Sequence, residues 1–347
     1  MPKNNSWEWG VCIFLLVVFF WLELSIGSVS IKTEELFQIL LGNTTGISEG
    51  SINIILKIRL PRAFAAVFAG MSISTAGLLM QTLFRNPLAG PSVLGITAGS
   101  TLGVSIITLS NGLITANYFI SQFGWGKSSL IITASILGAM AILLILFFIS
   151  PFVRDNLILL LIGIMIGQFT IAMISIFQYI SSPEQIQTYI LWTLGSLSGP
   201  SRNQVFLMGA VSLIFIFFTL FMAGKLNIWH QGESFAQSVG LAPTQVRLFT
   251  ILLAGGLTGT ITAFCGPIGF VGIAVPFLAR VWRKTDDHRQ VLPATLLLGA
   301  IIMLLCDLIS QLPGSQRVLP LNAVTAFLGA PIVILLIVRN RRLRHTF

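Results

Sequence analysis

The chain has 347 residues, of which 55% are hydrophobic and only 9% are charged. No ordinary soluble domain has that composition, and repeated apolar runs of near-span length indicate an integral membrane protein. The formal net charge of +9 comes from 20 Lys and Arg against 11 Asp and Glu. Because these charges lie at the ends of the apolar runs, they fit the positive-inside rule better than a nucleic-acid surface.

The apolar runs predict an all-α polytopic protein with a single membrane domain over residues 1–347 and a cytoplasmic loop at 225–247. About ten spans are expected, at about 10–28, 61–84, 92–112, 128–150, 157–180, 203–224, 247–265, 268–284, 292–310 and 322–339. An even number of spans puts both termini on one side. About thirteen Lys and Arg then lie on that side and about seven on the other, which predicts cytoplasmic termini.

Two arginines precede the second span, in the tetrapeptide Arg59-Leu60-Pro61-Arg62. Pro61 suits the first turn of a helix, and the arginines, three residues apart, share one helix face at the outer end of the span. Two interpretations are open. One is interfacial anchoring by snorkelling side chains, which the tetrapeptide alone slightly favours, and the other is recognition of carboxylates on an external partner.

An irregular turn joins the second and third spans. Gln81 is followed by Asn86 and Pro87, and a second proline four residues later prevents a regular helix. The third span then carries a glycine at every fourth position from Gly95 and Gly99 onward. Such a groove allows close helix contact, so helix packing is the default interpretation and lining of a pathway the alternative.

The most polar interruption of the apolar runs follows the sixth span. Gly232 and Ser234 are typical of a helix start, and Glu233 suits the positive end of a helix dipole. Gly240 is typical of a helix end, and Pro243 predicts the start of a second short helix.

Phe235 and Val239 are four residues apart, so the first of these helices has an apolar face. A helix this short is marginal alone in water. It would be stable if it packed on its own membrane domain and presented a face to a soluble partner. The alternative, an ordinary cytoplasmic loop, is equally compatible with the spacing.

Between the seventh and eighth spans the chain is rich in glycine. Gly266 and Gly269 predict a tight re-entrant turn on the outer side, and Pro276 interrupts the eighth span. In the next loop, His288 is interpreted as a solvated residue with no ligand partner. Asp307, near the outer end of the ninth span, is a functional candidate at membrane depth, although a hydrogen bond between helices is favoured. Glu23 is interpreted in the same way.

Enzyme chemistry is not predicted. The sequence has no paired carboxylates, nucleophile elbow, H-E-x-x-H or metal-ligand cluster. Gly126-Lys127-Ser128 imitates the end of a phosphate-binding loop, but Ser121 stands where that motif needs glycine. We therefore expect no catalytic residue, no cofactor and no bound metal, with energy coming from a partner or an ion gradient. Carboxylates and histidines within the spans, which ion-coupled carriers usually need, are nearly missing.

Several motifs in the same order resemble the permease subunits of type II ABC uptake systems for vitamin B12, ferric siderophores and haem. The similarity runs from Arg59 to Pro331. The motifs are Arg59-Leu-Pro-Arg62; Gln81 with Asn86-Pro-Leu-Ala89 and Pro91; Leu94-Gly95; Gly232-Glu233-x-x-Ala236-x-x-Val239-Gly240; Gly266-Pro-Ile-Gly-Phe-Val-Gly272 with Pro276 and Arg280; His288 with Pro293; Gly299-Ala300; Asp307; Leu319-Pro320; Thr325-Ala326; and Gly329-Ala-Pro331.

The resemblance implies a ten-span permease of the bacterial inner membrane that dimerises with an identical or similar subunit around a pathway for iron-siderophore, haem or corrinoid complexes. Two cytoplasmic ATPase subunits would bind ATP, and an external substrate-binding protein would deliver the cargo. A gradient-driven secondary transporter is the alternative. A membrane-embedded enzyme is a third possibility, for which the spans offer too few convergent polar groups.

The resemblance also implies residue roles. Those expected to couple to the ATPase are Gly232, Glu233, Ser234, Ala236, Gly240 and Arg247. Those expected to meet carboxylates of the binding protein are Arg59, Arg62 and Arg317. Those expected in the pathway or in helix packing are Gln81, Asn86, Pro87, Gly95, Gly99, Gly266, Gly269, Pro276 and Asp307.

This sequence departs from the family's pattern at several positions. Phe277 stands in place of the usual histidine after the proline of the eighth span, and Val318 in place of glutamate before Leu-Pro. The external arginine that the family has just after Asp307 is absent from this sequence. Gln311 stands near that place, and Arg317 is close by. These departures weaken inference about the cargo and about a third contact with the binding protein.

Overall fold

The computed structural model describes residues 6–27, 29–43, 45–109, 127–153, 155–311 and 318–339, and within these ranges the chain is helical with no β-strand. The α-helices are α1 Ser6–Ser25, α2 Thr33–Leu40, α3 Glu49–Asn53, α4 Leu60–Leu83, α5 Ile96–Leu109, α6 Lys127–Ile149, α7 Asn156–Tyr179, α8 Pro183–Thr193, α9 Arg202–His230, α10 Glu233–Ser238, α11 Pro243–Cys265, α12 Val271–Arg283, α13 His288–Ser310 and α14 Leu321–Arg339.

Seven stretches of these described residues are long and apolar enough to cross a membrane. One of them is the continuous helical run from α3 to the end of α4, Glu49–Leu83. The other six correspond to α1, α6, α7, α9, α11 and α13. Three shorter helices, α5, α12 and α14, lie at the remaining predicted spans, although the end of the third predicted span, 110–112, is outside the described residues. The all-α polytopic fold is therefore confirmed.

Helix α4 forms the centre of the bundle and packs against α9, α11, α12 and α13. Every residue from Ser72 to Leu83 is buried. Glycines allow two of these contacts: a Cβ on Gly70 would lie 2.1 Å from the carbonyl oxygen of Gly299. A Cβ on Gly77 would lie 1.7 Å from that of Gly272. The backbones therefore touch, as in membrane helix pairs with small residues at the interface.

Two helices that flank the polar loop are longer than predicted. Helix α9 continues to His230 instead of ending near 224, because Leu226 and Trp229 are buried and the Trp229 Nε1–H donates to the Leu83 carbonyl at 3.3 Å. Pro243 begins the 23-residue helix α11, so the prediction of a separate second short helix is wrong. Proline fits the first turn of α11, where its missing N–H costs nothing.

Candidate functional site

The loop between α9 and α11 is closed by two glycines with left-handed backbone angles. Gly232, at the start of α10, has a φ of +128°, and Gly240, just beyond its end, has a φ of +88°. The Leu241 N–H donates to the Ala236 carbonyl at 2.9 Å, and the Gly240 N–H donates to the Gln237 carbonyl at 2.9 Å. This is the glycine-terminated end that satisfies the last carbonyls of a helix.

Buried contacts attach this loop to the membrane domain. The Ala236 side chain is fully buried on the inner face of α10. Arg247, in the second turn of α11, is also buried and donates to the main-chain carbonyls of Ser150 at 3.4 Å and of Val153. Its Nη2 lies 3.4 Å from Glu233 Oε1. Arg247 therefore links α10 to the connection between α6 and α7.

The outer face of α10 remains uncovered. Phe235 is 49% exposed and Val239 is 55% exposed, and Ser234 beside them is also exposed. This loop lies outside the spans, so these apolar side chains are not explained by contact with lipid tails. Exposed apolar groups on an anchored segment are typical of a protein-interaction surface.

At the opposite end of the bundle, Arg59 is buried, with 6% of its surface exposed. It closes the π-helical turn Ile54–Arg59 that leads into α4. Its Nη1 donates to the carbonyls of Leu24 at 2.7 Å and Ser25 at 2.9 Å, and its Nη2 donates to that of Val29. Arg59 thus holds the chain just beyond α1 against the start of α4.

Arg62 pairs with Asp307 of α13 through two parallel hydrogen bonds, Nε to Oδ2 at 2.7 Å and Nη2 to Oδ1 at 2.8 Å. Its Nε also lies 3.6 Å from Glu23 Oε1 of α1. Gln311 donates its side-chain amide to that same Glu23 oxygen. The side chains of Glu23 and Asp307 are both buried. Through these contacts the guanidinium of Arg62 joins α1, α4 and α13. We call Glu23, Arg62, Asp307 and Gln311 the outer cluster, after the outer position that the sequence predicts for this end of the bundle.

Gln81 connects α4 with α12. Its Nε2 donates to the Ile273 carbonyl at 3.2 Å, and its Oε1 accepts from Arg280 Nη1 at 2.5 Å. Asn86 lies in the following turn, next to Pro87, and its Oδ1 accepts from the Leu88 N–H at 2.9 Å.

The predicted glycines lie at backbone contacts. A Cβ on Gly99 would lie 2.5 Å from the Gly138 carbonyl oxygen of α6, and Gly95 has a φ of +76°. Gly266 also has a φ of +76°, and the Gly269 N–H donates to Asn322 Oδ1 of α14 at 3.0 Å.

Pro276 is buried within α12.

One further expectation is wrong, and another falls outside the described residues. His288 is 1% exposed, not solvated. Its Nδ1 lies 2.8 Å from Asn227 Oδ1, and its Nε2 lies 2.7 Å from Thr82 Oγ1. It is the first residue of α13, so its ring turns toward the buried ends of α4 and α9.

Arg317 lies outside the described residues. Among the described residues, no cluster of His, Cys, Asp and Glu could hold a metal ion.

The fold and these contacts define a polytopic α-helical membrane protein with an anchored loop that exposes apolar groups at one end. The chain belongs to the FecCD transport family, whose profile matches residues 15–339, and it is therefore a transport permease. It is 32% identical to the hemin transport system permease HmuU of Yersinia pestis, over 96% of both chains. It is 30% identical to the Fe(3+) dicitrate transport system permease FecC of Escherichia coli, over 97% of this chain and 98% of that one.

A solved structure of a metal-chelate type ABC transporter in an inward-facing conformation has the same fold. The TM-score is 0.81 at 28% identity, over 95% of this chain and 98% of the other. The expected resemblance and the ABC permease fold are thus confirmed.

Proposed function

We propose that this permease forms, as a dimer, the translocation pathway of an ABC importer for an iron chelate. Two ATPase subunits would bind ATP and clasp the loop between α9 and α11, and an external binding protein would deliver the cargo at the outer cluster. The loop would then face the cytoplasm with both termini, in the bacterial inner membrane. Family membership supports an ABC importer over a gradient-driven carrier, and the charge distribution along the chain supports the cytoplasmic side for the loop.

The observation that carries the ATPase proposal is the exposed pair Phe235, on α10, and Val239, just beyond its end, on a loop that is fixed from behind. Ala236 and Arg247 hold α10 to the membrane domain on its other side. A force applied to Phe235 would therefore pass into α11 and the connection between α6 and α7. A freely moving loop could not transmit that force.

The experiment replaces Phe235 with Asp in the reconstituted importer. We expect unchanged insertion and thermal stability, because the side chain is exposed, but at least a tenfold loss of cargo uptake and of ATPase stimulation by the loaded binding protein. Gln237→Ala is the matched control, since Gln237 is exposed on the other side of the same short helix. Wild-type uptake by the Phe235 variant would reject the assignment. Uptake by liposomes that contain this chain alone, without ATP, would favour the gradient-driven carrier.

We also propose that Arg59, Arg62 and Arg317 dock the binding protein, and the structure sets a requirement for two of them. Arg59 and Arg62 are held by internal partners, so carboxylates of a binding protein would have to compete with Leu24, Ser25 and Asp307. Arg62→Lys keeps the charge and removes the two-pronged geometry. Stable protein with at least tenfold weaker binding of the external protein would support docking by Arg62. Stable protein with unchanged binding would limit Arg62 to a role inside the permease.

The cargo proposal rests on relatives named for hemin and Fe(3+) dicitrate and on a structural neighbour of metal-chelate type. Deletion of the chain is expected to abolish growth when one defined iron chelate is the sole iron source. Growth on inorganic iron salts at high concentration is the control. A growth defect that is corrected by corrinoid and not by iron would replace the iron chelate with a corrinoid.

A further inference from the structure

An apolar groove of about 410 Å³ lies between α9 and α11, at the end of the bundle next to the loop that joins these two helices. That volume is in the range of small-molecule sites, which are about 300–1,000 Å³. Its lining residues come from α9, from α11 and from the two residues before α11, and all of them except Lys225 and Gln245 have apolar side chains.

The groove has a buried floor and an exposed aromatic rim. Met222, Val246 and Leu253 are buried beneath it. Phe218 and Phe249 stand on its two sides, 54% and 56% exposed. A flat helix face would let lipid tails slide past, whereas a floor between two aromatic walls fixes the path of one alkyl chain.

The α9 side of the groove is rigid at Phe215 because of a close contact between the two helices. The Phe215 ring lies against Gly256 of α11, where a Cβ would come within 2.3 Å of Phe215 Cζ. The ring therefore occupies the space that a larger side chain on α11 would fill. The groove is a product of this packing and does not need a ligand to open it.

Polar groups are confined to the end of the groove beside the loop. Lys225 is the only charged residue in the described lining, and Gln245 is the only other residue there with a polar side chain. Both are exposed, and no hydrogen bond or ion pair joins Lys225 to another described residue. This end is therefore positive, and the rest of the groove is apolar.

We propose that the groove binds one anionic phospholipid from the leaflet on the loop side. An acyl chain would lie between Phe218 and Phe249, and the phosphate would meet Lys225 and Gln245. The complementarity is that of an amphiphile: an alkyl chain along the trough and a negative group at its positive end. A soluble helix or a second copy of this chain would need an apolar ridge for the trough and an acidic residue at the position of Lys225. A phospholipid has both features and is already present in the bilayer.

The test is retention of lipid by the purified protein in nanodiscs that contain equal amounts of phosphatidylglycerol and phosphatidylethanolamine. Native mass spectrometry then counts the lipids that stay bound after release from the nanodisc. We expect one lipid per chain, with phosphatidylglycerol favoured about fivefold, as for one lysine near an anionic headgroup. Raising the salt concentration to about 1 M should weaken this preference by screening.

Three variants separate the parts of the site. Lys225→Met should bring the ratio of the two lipids to about one, while Lys57→Met, which removes an exposed lysine from the other end of the bundle, should leave it unchanged. Leu252→Trp should fill the trough and reduce retention of both lipids. A wild-type ratio near one, an unchanged ratio in Lys225→Met, or a lipid-free dimer with the groove covered by a second copy would each overturn the proposal.

Discussion

The two ends of the bundle treat their charged residues differently. At the end that holds the outer cluster, Arg59 and Arg62 point into the protein, and every contact described for them is internal. At the loop end, Glu233 is 31% exposed and meets Arg247 at 3.4 Å, while Phe235 faces outward. Both segments resemble docking motifs of the family. The arginines of the first segment stabilise the fold internally, whereas the second segment exposes an apolar side chain that a partner can contact.

The difference shows why exposure must be known before a motif is assigned to a partner. The outer cluster holds three helices together, so a partner can act on it only by replacing internal contacts. The loop is held from behind by Ala236 and Arg247, so a partner can act on its outer face without disturbing the fold. Substitutions that separate stability from transport test this difference.

The largest loss of stability is expected for Arg62→Met. Removal of the guanidinium leaves the carboxylates of Glu23 and Asp307 buried without their cation, and breaking a buried pair in this way costs about 3–5 kcal/mol. Thermal unfolding in detergent, followed by the amount of monodisperse protein, measures the loss.

Two variants check that reason. Arg202→Met removes an exposed arginine at the start of α9 and should change stability little. Adding Asp307→Leu to Arg62→Met should restore much of the loss, because it removes the carboxyl group that forms two hydrogen bonds with Arg62. Equal stability of the Arg62 and Arg202 variants would contradict a structural role for the outer cluster.

A smaller loss is expected for Arg59→Met. This change strands no buried carboxylate in direct contact, but it removes donors from the carbonyls of Leu24, Ser25 and Val29. Unsatisfied buried acceptors cost about 1–3 kcal/mol, so the variant should fall between Arg62→Met and Arg202→Met in the same assay. A loss as large as that of Arg62→Met would mean that Arg59 also neutralises the outer cluster.

The helices were predictable because their signals are local. Apolar runs of span length and the glycines and prolines between them depend on neighbouring residues, and the short helix between Gly232 and Gly240 follows from the same rules. The end of α9 was not predictable, since the chain becomes more polar near 225 while contacts of Trp229 with α4 extend the helix.

The partners of the buried charges could not be predicted either. Arg59 bonds to residues 30 to 35 positions away, and Arg62 bonds to Asp307, 245 positions away. Three residues apart on a helix, the two arginines look like one exposed pair, and only the packed bundle shows that each turns to a different internal partner. His288 was misjudged for the same reason, because Thr82 and Asn227 are 206 and 61 positions away.

The smallest effect on stability is expected for Glu233→Gln. The carboxylate is partly exposed and its contact with Arg247 is 3.4 Å long, so its loss should cost less than about 1 kcal/mol, as for surface ion pairs. Arg247 keeps the carbonyls of Ser150 and Val153 as acceptors, so α10 should remain attached. We therefore expect unfolding within about 1 °C of the wild type, together with uptake reduced less than by Phe235→Asp. If Glu233→Gln instead destabilised the protein as much as Arg59→Met, the loop would depend on its charge as the outer end does, and the contrast between the two ends would fail.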